Sequence, residues 1–157
     1  MIAGGSGNFL HAQTFSHHPV ACAAGLAAVR YLKGHKLVER CARMGAVLHE
    51  RLAALRALPH VGDVRGRGLL AGIEFVEDEA TRAPFPRVAK FAETFTDAAL
   101  EAGITVWPNV GHADGVNGDL VLVAPPFIIT EAEIDEAVTL LARALQETLK
   151  AVKAAAQ

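Results

Sequence analysis

Two cysteines in 157 residues leave this chain without the material for a disulfide framework. Cys22 and Cys41 each fall in a helical stretch among small apolar neighbours, the setting expected of reduced, structural cysteine in a cytosolic protein. A surplus of either charge is missing too. Fifteen basic residues against seventeen acidic ones give a formal charge of −2, which excludes the electrostatic footprint of a nucleic-acid binder and makes a small ligand the default. No hydrophobic run is long enough to span a membrane, and the opening Met-Ile-Ala-Gly-Gly-Ser-Gly-Asn has no basic start of the kind that leads a signal segment. The expected location is therefore cytoplasmic. No Gly-x-Ser-x-Gly turn supports a serine hydrolase, and no internal repeat or low-complexity linker divides the chain.

What the chain does have is concentrated between His11 and Gly25. Thr14 and Ser16 place hydroxyls just ahead of a helix predicted to start near Pro19, and a helix N-terminus with unpaired amides and a neighbouring hydroxyl attracts an anion. The same Thr14 has a plainer role open to it, capping the turn before that helix. From Pro19 to Val29 no side chain is charged, so this helix has no face suited to water and needs cover from another domain or subunit. The Gly-rich loop before it reads as the middle of a domain.

Further along, Leu37, Cys41, Met44, Val47, Leu48, Leu52 and Leu55 recur at spacings of three and four, which predicts an amphipathic helix over residues 37–58. Val61–Arg65 and Leu69–Phe75 read as strand segments, with Gly66-Arg67-Gly68 as a bend or bulge within one long strand. A helix over residues 88–102 stopped by Gly103, strands at 104–107 and 120–123 joined by a glycine-containing loop, and a terminal helix opened by the capping box Thr130-Glu-Ala-Glu133 complete the pattern. The expected fold class is α+β, with a short, mostly antiparallel sheet carrying helices on one face.

Three stretches in order then carry a family resemblance. Thr14-Phe-Ser-His-His-Pro-Val-Ala-Cys-Ala-Ala-Gly25 resembles the Thr-Tyr-Ser-Gly-His-Pro segment of the class III aminotransferases, fold-type I enzymes that use pyridoxal 5′-phosphate (PLP). Val61-Gly-Asp-Val-Arg-Gly-Arg-Gly-Leu-Leu-Ala-Gly-Ile-Glu74 is similar to that family's strand entering the small C-terminal domain, and Gly118-Asp-Leu-Val-Leu-Val-Ala-Pro-Pro-Phe-Ile-Ile-Thr130 to its last strand and turn. The resemblance covers nearly the whole chain but only about the final third of such an enzyme. It implies that residues 1–34 are a remnant of the large PLP-binding domain with the start of the interdomain helix, and that residues 35–157 are the small C-terminal domain.

The resemblance also implies what this stretch lacks. PLP enzymes need a lysine that bonds the cofactor and an acid against the pyridine nitrogen, and the family keeps both upstream. Lys33, Lys36, Lys90, Lys150 and Lys153 lie in or beside predicted helices and match no lysine loop, so no catalytic residue is assigned and the chain is expected to be inactive alone. The implied cofactor residues are Thr14, which reaches across the family's dimer to the phosphate of the partner's PLP, and Gln13, whose backbone lines the same spot. The implied partners are the large domain, a second subunit, and a small-molecule amine or keto acid.

Members that act on ornithine-like amino acids often carry an arginine two positions before Ala-Pro-Pro, where it pairs with a substrate carboxylate. Leu122 stands there in this chain, which leans toward the amine or ω-transaminase side of the family. Arg65 and Arg67 remain as cations, with strand geometry as the ready explanation of their flanking glycines, and Trp107 is expected in the small-domain core. Two rival readings stay open: a non-catalytic dimerisation or regulatory module derived from the domain, and a metal site built from His11, His17, His18 and Cys22.

Overall fold

The spacing of Leu37, Met44, Leu48 and Leu52 buries one side of a helix while Glu39, Arg43 and Glu50 stay outside it, and the computed structural model of the chain forms its core on that side. The structure describes residues 13–14 and 16–155. Contacts divide the chain into two units, Met1–Lys36 and Leu37–Gln157.

In the first unit, helix α1 (Pro19–Gly34) begins as the sequence suggests, with Pro19 where its missing N–H costs nothing. His18 caps it, Nδ1 accepting from the Ala21 N–H at 3.4 Å. Not one residue of α1 is buried.

The second unit starts with α2 (Leu37–Leu52), which tightens into a 3-10 turn over Ala53–Ala57. The predicted helix thus ends early. Pro59 stops the helical stretch after Ala57, because it disfavours helical backbone at the residue before it, and Leu58 is extended at φ −86°, ψ 147°.

Strands β1 (Val61–Arg67) and β2 (Leu70–Phe75) form an antiparallel hairpin with Arg67 opposite Leu70. The expectation of one long bent strand is therefore wrong. Gly68, at φ +57°, turns the chain back on itself within two residues, a left-handed conformation that glycine adopts without penalty.

A 3-10 turn at Arg87–Ala89 leads into α3 (Phe91–Ala102), which Gly103 ends at φ +101° as expected. Strands β3 (Trp107–Val110) and β4 (Asp119–Val123) complete a four-stranded sheet of order β1-β2-β4-β3, every pairing antiparallel. The β3 prediction was placed three residues too early. The Ile104 N–H closes the end of α3 by donating to the Ala99 carbonyl at 2.9 Å, and the ladder to β4 starts only with Trp107 opposite Leu122.

Helix α4 (Glu131–Ala155) opens with the predicted capping box: the Thr130 N–H donates to Glu133 Oε2 at 2.7 Å, and the Glu133 N–H to Thr130 Oγ1 at 3.3 Å. Strand alternation sends Val64, Ala71, Ile73, Phe75, Val121 and Val123 to the helix-covered face, where Phe75 packs 5.0 Å from Phe91 and 4.8 Å from Phe95 between ring centres. The fold class is the α+β arrangement expected. Within the second unit, no described helix lies over the other sheet face, where Leu70 and Trp107 are exposed. Among the described residues, no helix is long and apolar enough to cross a membrane.

Candidate functional site

Gln13 and Thr14 are exposed in a tight turn ahead of α1. The turn is closed twice, by the Gln13 N–H donating to Ser16 Oγ at 3.0 Å and by the Ser16 N–H donating to the Gln13 carbonyl at 2.9 Å. His17 takes a left-handed backbone at φ +66°, which redirects the chain into the helix. No acid occupies the first turn of α1, so its positive end has no carboxylate of its own. Phe15 and His11 lie outside the described residues. His18 is engaged as the cap and Cys22 is exposed; among the described residues no group of three or more His, Cys, Asp or Glu is arranged to hold a metal.

All five lysines are exposed. Lys150 pairs with Glu147 at 2.8 Å, and Lys90 takes a left-handed backbone at the start of α3. None is buried in an apolar setting of the kind that holds a bonding amine.

The bare sheet face holds the remaining chemistry. Register puts Asp63, Arg65 and Arg67 of β1, Leu70, Gly72 and Glu74 of β2, and Leu120 and Leu122 of β4 on this side. Arg65 donates to Glu74 and, at 3.3 Å, to Asp63, while His112 Nε2 stands 3.3 Å from the other Glu74 oxygen. Burial alone would push Glu74 upward, yet the hydrogen bonds and charges of Arg65 and His112 outweigh it and hold the carboxyl below its ordinary range. Arg65 is correspondingly raised, mainly by Glu74. Its charge is spent inside the sheet.

Trp107 corrects an expectation. It is 71% exposed on the bare face directly opposite Leu122, because the strand starts at Trp107 and alternation sends its buried neighbour Val106 inward instead. The long loop between β3 and β4 also differs from a loose binding loop. Asp114 accepts from the N–H groups of Val116 and Asn117 within the loop, while Asn117 Oδ1 accepts from the Arg87 N–H at 3.0 Å, so the loop is held both by its own side chains and by its neighbours.

Two polar anchors had no signal in the sequence. Arg40 of α2 donates to the carbonyls of Phe127, Ile128 and Ile129 at 2.8, 3.1 and 2.7 Å, pinning the turn after Ala124-Pro125-Pro126. Asp119, 1% exposed, accepts from the Ala92 N–H at 2.9 Å and so caps α3 from a neighbouring strand. Its burial raises the carboxyl pKa in spite of that hydrogen bond. Both contacts join residues far apart in the chain, where spacing rules have no reach.

Fold and motifs together define the C-terminal portion of a transaminase-like architecture. A family model, aminotransferase class-III, matches residues 1–145, and the chain belongs to that family. An uncharacterized aminotransferase of Schizosaccharomyces pombe is 43% identical over 88% of this chain and 30% of its own length. The uncharacterized aminotransferase YodT of Bacillus subtilis is 36% identical over 97% of this chain and 34% of its own. Among solved structures, an (S)-enantioselective omega-transaminase from Thermomicrobium roseum superposes with a TM-score of 0.76 at 34% identity, covering 94% of this chain and 31% of that one. The chain thus spans about a third of the length of the relatives it matches.

Proposed function

We propose that this chain is the C-terminal share of a class III, PLP-dependent aminotransferase, moving an amino group between an amine or amino acid and a keto acid or aldehyde, and that it has no such activity by itself. The observation that carries this reading is the exposure of all five lysines, none held where a cofactor could be bonded. PLP, when bound, supplies the electron sink that makes amino-group transfer feasible. This chain's part is at the phosphate. Thr14 would donate its hydroxyl there and the Gln13 backbone would line the spot, beside a helix start free of acids.

The large domain, with the bonding lysine, and a second subunit of the same family complete the site in a cytoplasmic homodimer. Leu122 supports the amine or ω-transaminase side of the family, because no cation stands at that position to fix an α-carboxylate.

The test has two arms. Incubated with PLP and reduced with borohydride, the chain alone is expected to yield no stoichiometric adduct on a single lysine. Supplied with the upstream portion of a class III enzyme, it should support transamination, and Thr14→Ala should weaken PLP retention there by about tenfold. A specific one-lysine adduct on the chain alone refutes the reading. Persistent failure of every complementation would instead favour the non-catalytic module.

A further inference from the structure

A cavity of about 250 Å³ opens on the bare sheet face, and its floor is Gly72. The absent side chain makes the dent. A Cβ placed on Gly72 would meet only Leu122 Cδ2 at 3.8 Å and the Arg65 carbonyl at 3.9 Å, both ordinary contacts, so the space above the residue is empty rather than sterically required. Leu70, Leu120 and Leu122 supply aliphatic wall, and the two ends differ in charge state.

At the hairpin end, Arg67 lies opposite Leu70 in the register and makes no hydrogen bond or ion pair among the described residues. At the far end Glu74 also lines the cavity, four residues along β2 from Leu70 and so about 13 Å away at strand rise. Its charge is already met by Arg65 and His112. One uncommitted cation, an apolar trough and a neutralised far end make a site polarised for a small anion with a greasy tail.

We propose that this dent binds a short unbranched aliphatic carboxylate, its carboxylate forked by the Arg67 guanidinium and its chain lying over Gly72 against Leu70, Leu120 and Leu122. A guanidinium suits a carboxylate because its paired N–H groups match the two oxygens, and the leucines gain by covering the chain. The binding belongs to this chain alone and requires neither PLP nor transamination. Should the aminotransferase reading hold, Arg67 would provide the carboxylate anchor that Leu122 does not.

The experiment is a titration of the full 157-residue chain, ¹⁵N-labelled, with sodium pentanoate and separately with pentylamine. Expected are saturable amide shifts at Arg67, Leu70, Gly72 and Leu122 with pentanoate and none with pentylamine. Arg67→Gln, at an exposed position where refolding is not at stake, should weaken pentanoate binding about tenfold. Gly72→Leu should abolish it by filling the dent, with a dispersed spectrum showing the fold intact. Non-saturating shifts, equal affinity in Arg67→Gln, or equal binding of the amine would each overturn the assignment. Because no cofactor enters the assay, its result is independent of whether complementation restores amino-group transfer.

Discussion

Glu74 is where charge and burial meet most directly in the sheet. Arg65 and His112 hold it ionised at a site where burial alone would favour protonation, so its folded pKa lies below the ordinary 4.5. The folded state therefore binds fewer protons at this group than the unfolded state does. Its stabilisation is complete above about pH 4.5 and is lost as pH falls through the lower folded value. Asp119 has the opposite sign. Burial raises it above the ordinary 3.8, so its share of stability declines as pH rises from that value through the folded one. Urea unfolding across the acid range should consequently show a shallower loss of stability for Glu74→Gln than for the parent. Parallel profiles would remove Glu74 as a source of acid sensitivity. At this scale the sequence offered Arg65 and Arg67 as equivalent cations, and pairing separates them: one is consumed by the sheet, the other is left over.

The contact between α2 and the β1–β2 hairpin sets the limits on what an element's own preferences can explain. Gly45 sits mid-helix, where alanine ordinarily stabilises by about 1 kcal/mol. Here a Cβ would stand 2.5 Å from backbone atoms of Gly68, and that backbone has no side chain that could swing aside. Gly45→Ala is therefore expected to destabilise by about 2 kcal/mol or more, through overpacking, as measured by chemical denaturation. A gain in stability would mean that the helix and hairpin lie further apart than described. The capping box at Thr130 and the glycine stop at Gly103 were legible in advance, because both act within a few residues of chain. The hairpin was not. Gly66-Arg67-Gly68 is compatible with a bulge or a turn, and the choice rests on how β2 pairs with β4 as well as with β1.

For the molecule as a whole, apolar surface is divided unevenly between the two units. Every buried hydrophobic residue among those described lies at or beyond Leu37, whereas Val20, Leu26, Val29 and Tyr31 of α1 are 71, 50, 47 and 56% exposed. Apolar exposure of this extent on one helix favours association. Removing residues 1–36 should leave a folded unit with a nearly unchanged melting temperature and suppress the concentration-dependent self-association expected of the full chain. Light scattering and thermal circular dichroism check the two halves of this statement. A truncated chain that fails to fold would show that α1 contributes to the core after all.

The order of the helices, the α+β class and the membership in an aminotransferase family were determined by the sequence alone, because periodicity, caps and short motifs act over a few residues and survive without a third dimension. Tertiary structure decided the rest. It placed Trp107 outside rather than in the core, assigned Arg65 to Glu74 and Arg40 to three distant carbonyls, and left Arg67 facing an empty dent. Each of these depends on strand register or on pairs dozens of residues apart. A one-residue change of register would reverse every face, and no local pattern encodes that choice.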